Sequence, residues 1–124
     1  MNLLEYFENA KGMGVLGTAD SAGGVNLAIY GRPHVKDDEN IAFIMADRLS
    51  HENTKANPHA VYLFVERGDG YKGVRLYLTR TGEETDPQKI EEVRRPGRKG
   101  IEYGGAKKFL VHFKVGKIRP LTGD

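Results

Sequence analysis

Hydrophobic positions along the chain follow two spacings, one typical of a helix and the other typical of strands. Near the start, apolar side chains recur every three or four residues, which predicts an amphipathic helix over residues 2–11. These side chains are Leu3, Leu4, Phe7 and Ala10. Short apolar runs then alternate with turn-forming stretches, in the order "MGVLGTAD", "VNLAIYG", "IAFIMA" and "AVYLFVER". The first three runs are joined by connections too short for a parallel crossover, so we expect an antiparallel meander.

The second half of the chain predicts a further hairpin, a short helix and a final strand. After the glycine turn "GDGYKG", the run "VRLYLTRTGEE" alternates apolar and polar side chains, as in a strand with one buried face. Asp86 followed by Pro87 is a typical helix start and predicts a helix over residues 87–94. The run "FLVHFKVGKIRPL" predicts a last strand. Its buried face would consist of Phe109, Val111, Phe113 and Val115.

Together these elements predict a mainly β protein with small helices. Six or so antiparallel strands with tight turns favour a closed or nearly closed barrel, because closure removes unpaired sheet edges. A chain of 124 residues has the size of one domain, so we expect residues 1–124 to form a single domain.

The composition excludes several classes of protein. No apolar run approaches the length of a bilayer span, so a membrane protein is not expected. The absence of cysteine removes disulfides, thiolate nucleophiles and cysteine-ligated metals, so redox chemistry would need a bound cofactor. The N-terminal residues lack the basic flank and apolar core of a signal peptide, which predicts a cytoplasmic protein. A formal net charge of +2 is too small for nucleic-acid binding by the whole surface.

Motifs for several common catalytic sites are missing. The stretch "HENTK" begins like a zinc-binding helix, but Lys55 stands where the second histidine is needed, so no metal site is expected. Neither Ser21 nor Ser50 lies in a G-x-S-x-G elbow, which argues against a serine hydrolase. The glycine motifs of P-loop and dinucleotide-binding proteins are absent as well.

The junction "ADRLSHENTKANP", directly after "IAFIMA", is the best candidate for an anion site. Ser50 can cap a helix over residues 51–57 that ends before Pro58. The unpaired N–H groups at such a helix start favour a phosphate. Further donors stand at Arg48, Asn53, Thr54 and Lys55. The alternative interpretation is an ordinary capped connection between a strand and a helix.

Two other stretches are candidates for ligand contact. In "VNLAIYGRP", apolar residues alternate with Asn26, Ala28 and Tyr30 on the face expected to meet water, a mixture suited to a flat heterocycle. An ordinary strand explains the same pattern. Residues 94–108, "RRPGRKGIEYGGAKK", are basic and rich in glycine, so they could follow a nucleic-acid backbone or fold over an anionic ligand. A solvated loop is the alternative there.

Three short motifs in a fixed order carry a family resemblance. They are "G-x-x-N-L-A" on the second strand, "F-I-M-A" on the third, and "T-K-A-N-P-H-A-x-Y" from the short helix into the next strand. Over roughly residues 3–119 the chain resembles the pyridoxamine 5′-phosphate oxidase-like FMN-binding split barrels. The resemblance implies a six-stranded antiparallel split β-barrel and a homodimer with two FMN sites at the subunit interface.

The resemblance also implies, by position, which residues contact FMN. The second strand and the end of the third would lie against the isoalloxazine and ribityl parts, and the residues after the third strand would hold the phosphate. The first set is Asn26, Leu27, Ala28, Ile29, Met45 and Ala46, and the second is Arg48, Ser50, Asn53 and Thr54.

The expected function is that of a small flavoprotein that passes electrons or hydride between a nicotinamide donor and an unidentified small substrate. Catalytic acids are not required, because the flavin supplies the hydride chemistry. True pyridoxamine-phosphate oxidases use a basic C-terminal segment, and "KIRPLTGD" does not resemble it, so oxidation of vitamin B6 is not expected. Deazaflavin or haem are alternative cofactors for this fold.

A rival hypothesis is a barrel that binds nucleic acid or a protein partner through residues 94–108. Such barrels present aromatic side chains on an open face, whereas the phenylalanines here alternate as in a buried core. These phenylalanines are Phe43, Phe64, Phe109 and Phe113.

Overall fold

A computed structural model of the chain describes residues 1–95 and 107–123, so most of the basic stretch 94–108 lies outside the described residues. The described residues form three helices and seven strands. The helices are α1 (Leu3–Asn9), α2 (Leu49–Ala56) and α3 (Pro87–Val93). The strands are β1 (Gly12–Ala19), β2 (Val25–Ile29), β3 (His34–Val35), β4 (Asn40–Ala46), β5 (His59–Glu66), β6 (Gly73–Glu84) and β7 (Lys108–Pro120).

The seven strands form one antiparallel sheet in the order β2-β1-β5-β6-β7-β4-β3. Within the described ranges the edge strands β2 and β3 are not paired with each other, so the sheet is open, as in a split barrel. The predicted mainly β class and the antiparallel split barrel are confirmed. The described residues have seven strands, one more than predicted, because residues 34–40, predicted to be a turn, contain the two-residue strand β3.

The predicted meander is wrong in its third strand. β2 pairs with β1, whereas β4 pairs with β7 and β3 on the other side of the sheet. Residues 30–33, which we call the crossing segment, therefore join one edge of the sheet to the other. Such a connection from Ile29 to His34 spans at most roughly 17 Å, so the sheet must curl until its edges approach. The prediction took the short connection after β2 to mean that β2 and β4 are neighbours, which is required only in a flat sheet.

Side chains replace strand pairing along the crossing segment. The hydroxyl of Tyr62 donates to the carbonyl oxygens of Tyr30 and Gly31, at 3.1 and 2.9 Å. The guanidinium of Arg95 donates to the carbonyl oxygens of Arg32 and Pro33, both at 3.1 Å. Gly14 leaves room for this arrangement, since a Cβ at that position would overlap the Tyr62 hydroxyl. The crossing segment is thus fixed by two side chains from distant parts of the sequence.

Helix α1 covers one end of the barrel. Leu3 and Phe7 are fully buried, as the helical spacing predicts, whereas Leu4 is exposed. The guanidinium of Arg32 donates to the carbonyl oxygens of Phe7 and Ala10, at 2.9 and 3.1 Å, and so satisfies acceptors at the end of the helix. None of the described helices is long and apolar enough to cross a membrane.

The concave side of the sheet encloses the core. The predicted buried faces of β6 and β7 are confirmed, and their core residues are Val74, Leu76, Leu78, Phe109, Val111, Phe113 and Val115. The ring of Tyr62 lies 4.9 Å from that of Phe43 and 6.3 Å from that of Phe7, between centroids. All four phenylalanines expected in the core are buried. Helix α3 begins as predicted, since the Asp86 carboxylate accepts a bond from the N–H of Gln88 at 2.9 Å.

Tyr62→Phe is expected to lower the free energy of unfolding by about 1–3 kcal/mol, because it leaves two part-buried carbonyl oxygens without a donor. Urea denaturation followed by far-ultraviolet circular dichroism measures this change. The matched control is Tyr71→Phe, since Tyr71 is 83% exposed and should tolerate the change. Equal stability of the two variants would show that the Tyr62 hydroxyl does not hold the crossing segment.

Candidate functional site

A cleft of about 820 Å³ opens beside the crossing segment and the end of β4. Small-molecule sites have volumes of roughly 300–1,000 Å³, so the cleft is large enough for a cofactor. Tyr30, Phe43, Ile44 and Ala46 contribute apolar surface, and His34 lies in the wall. Five cations also line it, and no Asp or Glu is among its described lining residues, so we call it the basic cleft. The cations are Arg32, Arg48, Arg94, Arg95 and Lys108.

The turn after β4 brings Arg48 to this cleft. The N–H of Arg48 donates to the carbonyl oxygen of Ala46 at 2.8 Å, and α2 begins at the next residue. Arg48 is therefore the N-cap residue, and its side chain makes no capping bond. The predicted cap at Ser50 is wrong, because the tight turn starts the helix before Ser50 and places that residue in the first turn. The first N–H groups of α2 lack the usual side-chain acceptor, which favours an anion there.

Ser50 is buried and interacts with Tyr30, a residue of the cleft wall. Burial raises the pKa of Tyr30, while hydrogen bonding with Ser50 and the charge of Arg48 act in the opposite direction. The phenol therefore stays protonated at neutral pH. A neutral hydroxyl, a buried serine and a cation thus meet at the start of α2.

His51 fixes the orientation of α2. The sequence pattern suggested only a metal-ligand role for this residue, which was not expected. Its ring stacks on Phe109 with centroids 3.7 Å apart, and its Nε2 lies 2.8 Å from a carboxylate oxygen of Glu83. Arg80 donates to the same oxygen at 2.7 Å. Burial opposes ionisation of Glu83, but the bonds from His51 and Arg80 outweigh it and hold the pKa of Glu83 below its usual value. The helix that presents Arg48 is therefore tied to β6 and β7.

Asn53 and Thr54 are buried and do not line the basic cleft. The amide of Asn53 donates to the hydroxyl of Thr18 at 3.1 Å. The hydroxyl of Thr54 donates to the carbonyl oxygen of His51 at 2.9 Å. Both side chains hold α2 in place within the protomer, and their contact with a phosphate stays a prediction.

The residues of β2 that are predicted to contact the isoalloxazine ring lie on two opposite faces of the strand. Asn26 and Ala28 are half-buried, and Asn26 pairs with Thr18, the residue that α2 contacts. Leu27 and Ile29 lie on the opposite face and are 72% and 67% exposed. This reverses the expected orientation, in which the apolar face is buried. Alternation identifies the two faces of a strand, but it does not tell which of them meets the core when the other awaits a partner.

The end of β4 contributes two residues of different kinds. Met45 is fully buried in the core and pairs with Phe109 across the strands, so only its main chain is available to a ligand. Ala46 is half-buried and lines the basic cleft. The structure thus brings Ala46, Arg48 and the Ser50–Tyr30 contact together. It places Leu27 and Ile29 on another surface.

His34 lies in the wall of the basic cleft and is uncharged at neutral pH. Burial lowers its pKa to about 4, and the charges of Arg95 and Arg94 act in the same direction. A hydrogen bond to the main chain of Val93 only partly opposes this shift. No sequence pattern indicates this role, because the burial of His34 depends on how the crossing segment folds.

No family model and no curated protein matches the sequence. Solved structures do match, among them an FMN-binding protein from Syntrophomonas wolfei subsp. wolfei, with a TM-score of 0.75 and 21% identity over 98% of this chain and 88% of that one. A protein related to general stress protein 26, of the pyridoxinephosphate oxidase family, from Clostridium acetobutylicum has a TM-score of 0.70 and 17% identity over 97% and 89%. An F420 reductase has a TM-score of 0.68 and 15% identity over 93% and 94%. The predicted resemblance is confirmed at the level of the fold.

His34→Gln is expected to weaken the acid sensitivity of the fold. The pKa of His34 is about 4 in the folded chain and 6.5 for an unperturbed histidine, so the unfolded state takes up the proton first as pH falls. Between about pH 7 and about pH 5 the wild type should lose on the order of 1 kcal/mol more stability than the variant. Urea denaturation at the two pH values measures the difference. His59→Gln removes a histidine at an exposed position and serves as the control. An equal loss of stability between the two pH values in both variants would contradict the prediction.

Proposed function

We propose that residues 1–124 form a single-domain flavoprotein that binds FMN non-covalently in the basic cleft. In this proposal it passes electrons or hydride between a nicotinamide donor and a small substrate. The observation that carries the proposal is the meeting of Arg48 with the uncapped start of α2, in a cleft without a described acidic side chain. The shared fold with an FMN-binding protein supports the choice of cofactor.

The chemistry of the cleft fits the two ends of FMN. A phosphate needs cations and N–H donors, and Arg48 and the first turn of α2 supply both. A flat ring system needs apolar walls with a few polar groups, and Tyr30, Ile44 and Ala46 supply such walls. Asn53 and Thr54 would support the phosphate only indirectly, by fixing α2, because their side chains are engaged within the protomer.

When bound, FMN supplies the hydride and electron chemistry. The chain would then bind and orient the cofactor and keep water away from it. The protonated hydroxyl of Tyr30 can donate a hydrogen bond from the wall, and neutral His34 adds a polar group without a charge. No Asp or Glu is among the described lining residues of the cleft, and the proposed hydride chemistry requires no proton transfer by such a side chain.

A deazaflavin is the second candidate cofactor, because an F420 reductase shares the fold. Haem has less support, because two of the solved structures compared above are described as an FMN-binding protein and an F420 reductase. His34, the histidine in the cleft wall, would be its candidate ligand. We therefore propose FMN and treat deazaflavin as the cofactor to compare in the same experiment.

We further propose that the protein is a homodimer with its cofactor sites at the subunit interface. Val25, Leu27 and Ile29 are 82%, 72% and 67% exposed, and this row continues onto half-buried Val15 and Leu63 of the neighbouring strands. We call this surface the outer apolar face. Contiguous apolar surface of this kind typically marks an interface. A second copy on it would bring the predicted contacts Leu27 and Ile29 next to a partner.

FMN is expected to bind the purified protein, and Arg48→Ala should weaken binding about tenfold, since a charge-assisted contact to phosphate is lost. Quenching of FMN fluorescence during titration measures the affinity, and a flavin absorbance band on the purified protein would show binding directly. A deazaflavin titration under the same conditions compares the two cofactors.

The matched control for this titration is Arg67→Ala. Arg67 is exposed and does not line the basic cleft, so its loss tests the effect of net charge alone. Equal FMN affinity of the Arg48 and Arg67 variants would remove Arg48 from the site. A wild-type protein that binds neither FMN nor deazaflavin would overturn the proposed function.

Leu27→Glu is expected to shift the protein from dimer to monomer, because it places a charge in the middle of the outer apolar face. Analytical ultracentrifugation over a range of protein concentrations measures the change. Tyr71→Glu adds the same charge at an exposed residue of the β5–β6 turn and should leave the dimer intact. A wild-type protein that sediments as a monomer would contradict the proposed assembly.

A further inference from the structure

Arg32 and Arg95 both line the basic cleft, and neither has a carboxylate partner among the described residues. The bonds of Arg32 go to the carbonyl oxygens at the end of α1, and those of Arg95 go to the crossing segment. Arg80 and Arg94 differ in this respect. Arg80 contacts Glu83 at 2.7 Å, and Arg94 contacts Glu91 at 3.4 Å. The charges of Arg32 and Arg95 are therefore held by main-chain acceptors, which carry no full negative charge.

The two positively charged guanidinium groups also repel each other. Burial lowers the pKa of Arg95, and the positive charge of Arg32 lowers it further. Two like charges near each other in a partly buried cleft are unfavourable unless an anion joins them. A guanidinium has five N–H groups, and the bonds described above occupy two on Arg95. Donors therefore remain for an acceptor in the cleft.

This pair is separate in sequence and in the fold from the start of α2. Arg32 belongs to the crossing segment, and Arg95 follows α3, whereas Arg48 follows β4. All three line the same cleft, together with apolar Phe43 and Ile44 of β4. One cleft thus has two groups of cations on different elements. One anion at Arg48 leaves the charges of the pair uncompensated.

We propose that Arg32 and Arg95 form a second anion subsite, which binds the carboxylate or phosphate group of a small organic substrate. The assignment to a substrate rests on the proposed function, because that function places the cofactor phosphate at Arg48. The binding of an anion by the pair does not rest on it. Guanidinium groups bind carboxylate and phosphate through paired N–H donors, so both chemistries fit the subsite.

Inorganic phosphate and succinate are the probes for the subsite, and isothermal titration calorimetry at constant ionic strength measures their affinities. Titrations are made on the protein with and without saturating FMN. Arg95→Gln is expected to weaken both probes about tenfold, because charge-assisted bonds are lost. Arg67→Gln makes the same change of charge at an exposed residue outside the cleft and should leave the affinities within about twofold of the wild type.

Arg95 also holds the crossing segment, so Arg95→Lys provides a second measurement that retains the charge. An ammonium lacks the planar pair of donors, and several-fold weaker binding of phosphate is expected. Circular dichroism verifies that each variant is folded. Unchanged phosphate affinity in a folded Arg95→Lys or Arg95→Gln variant would overturn the proposal, and so would an equal loss in Arg67→Gln.

The outcome with FMN separates this proposal from the proposed function. If the two anion sites are distinct, phosphate binds the FMN-saturated protein, and Arg48→Gln weakens FMN more than phosphate. If FMN abolishes phosphate binding, the pair belongs to the cofactor phosphate, and the second subsite is wrong. If the protein binds no FMN but loses phosphate in Arg95→Gln, the anion subsite stands while the proposed function fails.

Discussion

The crossing segment has to reach from one edge of the sheet to the other, and four residues suffice only when the seven strands curl into a barrel. Its carbonyl oxygens cannot enter a ladder, so they need donors from elsewhere. Tyr62 and Arg95 supply these donors, and Gly14 leaves the space for the Tyr62 hydroxyl. The curvature of the sheet and the position of the cleft both follow from satisfying this one segment.

The same segment also forms part of the basic cleft. Tyr30 meets the start of α2 on one side, and Arg32 binds the end of α1 on the other. Arg32 belongs to the crossing and Arg95 stabilises it, and both add positive charge to the cleft. This coupling explains why cations from separate parts of the sequence lie together beside the crossing segment. The cations satisfy main-chain oxygens and at the same time favour an anionic ligand.

Local patterns predicted the elements well, and pairings between distant elements poorly. The alternation in β6 and β7 and the Asp86 cap depend on neighbouring residues, so the sequence shows them directly. The partner of β4, by contrast, depends on the curl of the whole sheet. In the candidate site, Arg48 could be found because it follows a recognisable strand, whereas Ala46, the last residue of that strand, was named only through the family resemblance. His34 gave no such signal, and Arg32 and Arg95 stood only within longer candidate stretches, since the folded crossing segment brings all three to the cleft.

The strand order also determines when the cleft can exist during synthesis. β7 lies between β6 and β4, so the described pairing of β4 and β3 with the rest of the sheet depends on the last of the described strands. Before β7 leaves the ribosome, β4 has no partner on that side, and the wall that carries Phe43 and Ala46 is unsupported. The emerging chain can form the β1–β2 and β5–β6 hairpins early, but the basic cleft is completed only when β7 pairs with β4. A molecule that binds in this cleft would therefore have to wait for β7 to be synthesised.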